Sequence, residues 1–137
     1  MIAKLRGIID TIGDDYCIVD VNGVGYLVFA SAKTLGKLTR GKQYCLLTET
    51  VVREDSISLF GFYDAWEKEW FLTLTKVQGV GAKVCLSILS VLSPSQLAQA
   101  VAAQEDGRLV AEGFQVAEGQ ALLLPPVVPP EHGQAAN

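Results

Sequence analysis

An abrupt change of hydrophobic period at Asp64 constrains this 137-residue chain more than any other feature. Before it lie five short runs rich in β-branched and aromatic residues: KLRGIID from Lys4, YCIVDV from Tyr16, GYLVFA from Gly25, QYCLLTETVV from Gln43 and SISLFGF from Ser56. The turn signals Gly13-Asp14-Asp15, Asn22-Gly23 and Arg53-Glu54-Asp55 punctuate them, and residues 31–38, between the third and fourth runs, read as a short helix or a loop. Five such strands in this order suit a small OB-like barrel. After Asp64 the period becomes helical. Asp64-x-x-Glu67 has the form of a capping box, and Trp66, Trp70, Phe71, Leu74 and Val77 follow at roughly helical spacing. Gly79-Val80-Gly81 interrupts this helix, AKVCLSILSVL resumes it from Ala82, and Ser93-Pro94 opens a third helix through QLAQAVAAQ. Beyond Asp106, glycines at 107, 113 and 119 and two Pro-Pro pairs predict an irregular tail with little packed structure. The expected fold class is α+β, with an OB-fold barrel over 1–63, a small helical domain over 64–106 and a divergent Pro-rich tail over 107–137.

Composition narrows the chemistry. Half of the residues are apolar and 19% are charged, which describes a folded chain and not a disordered one. Cys17, Cys45 and Cys85 are odd in number, far apart and set in apolar stretches, so they read as reduced core residues. The single histidine, His132, lies among prolines, which leaves little from which to build a triad or a His-rich metal site. No catalytic residue, metal or cofactor is expected. No run is long and apolar enough to span a bilayer, and Lys4, Arg6 and Asp10 break up the N-terminal segment as a signal peptide; a cytoplasmic location is expected.

A formal net charge of −4 argues superficially against a nucleic-acid partner. The distribution of charge points the other way. Residues 1–83 hold ten Lys/Arg and ten Asp/Glu, whereas residues 84–137 hold Arg108 against five acids, so the whole excess lies in the C-terminal part.

Two segments could carry function. Val77-Gln78-Gly79-Val80-Gly81-Ala82-Lys83 has the form of a helix-hairpin-helix loop. Its glycines permit a tight turn, and amides at the start of the following helix can meet a phosphate oxygen, with Lys83 adding charge. No side chain in this loop reads bases, so binding there would follow backbone geometry. On the residues alone, an ordinary tight turn between two helices explains the segment equally well. Glu54 and Asp55 form an acidic pair between the last two strands. Adjacent carboxylates can hold a divalent cation or serve acid–base chemistry, but on a turn they more commonly face water. Trp66 and Trp70 read as a core face because their spacing is i, i+4.

Taken in order, MIAKLRGIID, DVNGVGYLV, ETVVREDSISLFGF and EKEWFLTLTKVQGVGAKVCLSILSVLSPSQLAQAV resemble the RuvA family, the junction-binding subunits of the bacterial branch-migration machine, from Met1 to about Asp106. The resemblance implies an OB-fold followed by paired helix-hairpin-helix motifs, and non-catalytic binding of four-way DNA junctions in recombination and repair. It also implies homotetramers, with RuvB, the partner that carries the ATPase, and RuvC as further partners. By the same resemblance, Gly79, Val80, Gly81 and Lys83 are DNA-binding, while Glu54 and Asp55 match an acidic pin that repels phosphates at the crossover. After Asp106 the family pattern stops. GFQVAEGQALLLPP stands where a second hairpin loop and basic helix belong, and the RuvB-contacting domain has no counterpart. A reading-frame change, a truncation and natural divergence each produce such a loss, and RuvB coupling is expected to suffer.

Other functions stay open on the residues. A helix-hairpin-helix glycosylase or nuclease needs a catalytic acid, lysine or metal cluster by the hairpin, yet residues 84–104 carry no charged side chain. A generic single-strand-binding OB module could use Tyr16, Tyr26, Phe29 and Tyr44 for stacking. The chain could also be a folded but functionally impaired RuvA variant.

Overall fold

The computed structural model describes residues 1–77, 79–92, 96–97, 109–111 and 114–116. Its first five strands are β1 (Lys4–Ile12), β2 (Tyr16–Val21), β3 (Val24–Phe29), β4 (Gln43–Arg53) and β5 (Ser56–Phe62), closed into a barrel in the order β1-β2-β3-β5-β4. All pairings are antiparallel except β3 with β5, a short parallel contact at Val28↔Leu59 and Phe29↔Phe60. Helix α1 (Ala32–Gly36) joins β3 to β4, which resolves the helix-or-loop choice and completes the OB-like order.

Local chemistry explains the barrel's corners. Asn22 and Gly23 both adopt positive φ, 52° and 90°, the conformation a two-residue hairpin between twisted strands requires. At Gly7 a Cβ would run into the carbonyl oxygen of Asp20, so only glycine lets β1 lie this close to β2. Inward alternation of Leu5, Ile9, Cys17, Val19, Val28, Leu46 and Leu59 fills the barrel.

Helices α2 (Ala65–Thr75) and α3 (Ala82–Val91) cover the outer side of β5. Strand β5 is therefore buried on both faces toward its end. Leu59 points into the barrel, while Phe60 and Phe62 join Trp70, Phe71, Leu74, Val77, Cys85 and Leu89 in a second core. An aromatic chain links the two layers, with ring centroids 5.5 Å apart for Phe29–Phe60, 5.4 Å for Phe60–Phe71 and 4.8 Å for Phe62–Phe71. Trp70 is 1% exposed and Trp66 packs at the edge of the same core, as the i, i+4 spacing implied.

The capping box at Asp64 is realised in half. The Asp64 carboxylate accepts the Glu67 amide at 2.9 Å, but Glu67 does not reach back to the Asp64 amide. Its carboxylate accepts instead from the Tyr63 amide at 3.2 Å, from the Ser31 hydroxyl at 2.6 Å and from the Thr34 hydroxyl. Ser31 is itself the N-cap of α1, so one carboxylate ties the starts of two helices together. At the C-terminal end of α3, the Ser90 hydroxyl accepts the Ala32 amide at 2.9 Å and Lys33 donates to the Leu92 carbonyl at 2.8 Å.

The segment after Ser93 is described only in part. Gln96 and Leu97 are helical, with Leu97 buried in the core that α2 and α3 share, and the rest of the third helix expected from Ser93 to Gln104 lies outside the described residues. In the region read as irregular, β6 (Leu109–Ala111) and β7 (Phe114–Val116) pair as an antiparallel hairpin. Period-2 alternation is too short over three residues to signal such a strand in the sequence. The remainder of 98–137, where the family pattern would place a second hairpin loop, lies outside the described residues.

Candidate nucleic-acid interface

The loop between α2 and α3 is built from two glycines with different tasks. Gly79 has φ of 90° and open space around it, so its backbone conformation, not crowding, calls for glycine. Gly81 is the N-cap of α3 with extended backbone, φ −79° and ψ 166°, and no side chain caps the helix. The first amides of an α-helix have no intrahelical acceptor, so this uncapped start is a natural place for an anion. Gln78 lies outside the described residues.

Val80 is placed differently from its neighbours. Its side chain is buried in the helical core and its amide donates to the Val77 carbonyl at 3.2 Å. It holds the loop on the helices and presents no donor outward. Lys83 is exposed and lies over the Phe29 ring, with Nζ 4.2 Å from the centroid.

That contact reveals a residue the sequence did not single out. The groove between β4–β5 and the start of α3 is lined by Phe29, Arg53, Ser56, Ser58, Gly81 and Lys83. The register pairs Arg53 with Ser56 and Val51 with Ser58, so strand alternation turns all four toward α3. Arg53 was legible only as a neighbour of Glu54. Its place in one groove with Lys83, thirty positions along the chain, exists only once the helices fold onto β5.

Glu54 and Asp55 form the two-residue turn that closes the β4–β5 hairpin, and both are exposed. No cluster of three or more His, Cys, Asp or Glu occurs among the described residues, so neither carboxylate has further ligands gathered around it there. The acidic tip is thus directly continuous with the cationic groove along one hairpin. Of the four aromatics that could stack on bases, Tyr44 is buried, Phe29 is covered by Phe60 and Lys83, and Tyr16 and Tyr26 are half-buried.

The model of the RuvA N terminal domain matches residues 1–61. The barrel is a RuvA N-terminal domain. The chain is 61% identical over 109 residues to the Holliday junction branch migration complex subunit RuvA of Paramagnetospirillum magneticum, covering 80% of this chain and 51% of that relative. RuvA proteins of Rhodospirillum centenum and Rhizobium meliloti are 58% and 55% identical over 106 residues, 77% of this chain and 52% of each relative. The similarity extends past the RuvA barrel into the helices, and the chain spans about half the length of these curated relatives. No helix among the described residues is long and apolar enough to cross a membrane.

Proposed function

We propose that this chain is a non-catalytic DNA-binding subunit of a branch-migration complex that recognises four-way junctions through phosphate geometry. One observation carries the reading: a groove holding Arg53, Lys83 and the uncapped start of α3 adjoins an acidic turn on the same hairpin. Phosphates are drawn to the groove and pushed from the turn, so Glu54 and Asp55 act by electrostatic exclusion at the crossover. Within the hairpin, Gly79 shapes the turn, Gly81 and Lys83 meet phosphate, and Val80 supports them from the core. Domains over 1–63 and 64–106, followed by a divergent segment over 107–137, are the organisation that goes with this role.

The names of the relatives support the reading, because proteins 55–61% identical to this chain are named as Holliday junction branch migration complex subunits. Assembly as a tetramer on one face of a planar junction, with RuvB and RuvC as partners, belongs to the same proposal. A single-strand-binding OB module is the weaker reading, since burial of Tyr44 and coverage of Phe29 remove two of its four stacking candidates. Competition among four-way junction, duplex and single-stranded DNA across a range of salt tests the proposal. Junction DNA should outcompete the others at every salt concentration; equal competition per phosphate overturns it.

A further inference from the structure

The β4–β5 hairpin runs on past the barrel wall. Strand β3 pairs with β5 only at Val28↔Leu59 and Phe29↔Phe60, so the part of β5 before Leu59 projects beyond the point of closure. Alternation gives this projection two unlike faces. Arg53, Ser56 and Ser58 turn toward α3 and line the groove. Val52 and Ile57, register partners across the hairpin, continue the inward face of Thr50 and Leu59 with no β3 pairing alongside them. Val52 is 65% exposed and Ile57 75%, and neither belongs to a buried cluster, so the fold does not use them.

We propose that Val52 and Ile57 form an apolar wedge that packs against base faces at the crossover of a four-way junction; this rests on the junction reading above. Charge sorts the surfaces of the hairpin. Arg53, with Lys83, suits phosphate, and the Glu54–Asp55 tip repels it. An apolar flank next to those carboxylates is matched by the uncharged part of a nucleic acid, which is its base faces. Apolar side chains wedge between base steps in several classes of DNA-bending protein. At a crossover, where base stacking is interrupted, such contact displaces the least stacking, and bases already out of a regular stack are the easiest to engage.

The test uses the full chain and an immobile four-way junction carrying 2-aminopurine beside the crossover, with a second junction labelled in mid-arm. Binding should raise crossover fluorescence and leave the arm unchanged. The variant V52T/I57T keeps β-branched residues in the strands; it should bind the junction more weakly, and at protein concentrations that saturate the junction it should lack the crossover rise. Binding with an undiminished rise in the variant, or no rise with the unsubstituted chain bound, overturns the wedge alone. Failure of the unsubstituted chain to bind any junction overturns the junction reading and the wedge with it. A changed oligomeric state in the variant with the crossover rise intact assigns this face to a second copy of the chain and overturns the wedge.

Discussion

Gly79 and Gly81 stand two positions apart, and their backbones separate their contributions. At φ of 90°, an alanine at 79 is strained although nothing blocks its Cβ. Gly79→Ala should cost about 1–2 kcal/mol of stability, read from denaturant unfolding, whatever the DNA does. Gly81 has ordinary φ and open space, so Gly81→Ala should leave stability within about 0.5 kcal/mol. The added methyl stands at the mouth of the groove, and junction affinity should fall; unchanged affinity would remove Gly81 from the interface. The thiols give a second residue-scale expectation. Burial pushes Cys17 from its ordinary 9.0 up to about 11, and burial followed by the charge of Glu67 pushes Cys85 up as well. The unfolded chain then loses these protons first as pH rises. Their contribution to stability is complete below about pH 9 and declines above it, which unfolding midpoints between pH 8 and 10 should show. Both thiols should resist a thiol-specific reagent in native protein at pH 8 and react once the chain is unfolded.

At the scale of elements, Glu67 is the joint between the barrel and the helices. Ser31 and Thr34 are each 1% exposed and both donate to its carboxylate. Glu67→Ala leaves these hydroxyls buried without their acceptor and should cost about 2–3 kcal/mol in unfolding free energy. Glu67→Gln keeps one carbonyl acceptor and should cost less. Equal losses in the two variants would mean that the charge, and not the hydrogen bonds, holds the joint. This joint also marks a limit of local reading. Asp64-x-x-Glu67 was legible as a helix start, and the helix does begin there, but the second carboxylate is shared between the nearby Tyr63 amide and two hydroxyls more than thirty positions away. A hydroxyl pair brought close by the barrel's α1, together with the Tyr63 amide, offers more partners than the Asp64 amide alone.

For the whole molecule, on the proposed reading, the separation of charge sets the behaviour toward DNA. Residues 1–83 are balanced and residues 84–137 carry the acidic excess, so any attraction to phosphate must come from a local cluster of cations such as the groove and not from net charge. Arg53→Ala and Lys83→Ala should each lower the slope of log K against log salt by about one. Together, Glu54→Gln and Asp55→Asn should keep or strengthen junction binding, because negative charge near phosphate is removed. A loss of binding in that double variant, or a requirement for Mg²⁺, would favour a metal role for the turn instead. The sequence after Asp106 contains no second glycine hairpin followed by a run of basic residues. On the proposed reading, this chain's salt slope should be shallower than that of a relative with both hairpins, measured side by side.

By itself the sequence determined the order and kind of the elements through Val91 except α1, which it left as helix or loop, because period, turn residues and caps act over a few positions. It also marked the hairpin loop and the acidic turn, whose residue types are chemically distinctive at short range. Only the tertiary structure decided that Val80 is a core residue, that Arg53 and Lys83 line one groove, that Glu67 bridges two helices and that Val52 and Ile57 stand bare beyond the barrel. Each of these depends on which face of a strand or helix meets another element far away in the chain. That choice is made by closure of the barrel and burial of β5 on both sides, and no local pattern records it.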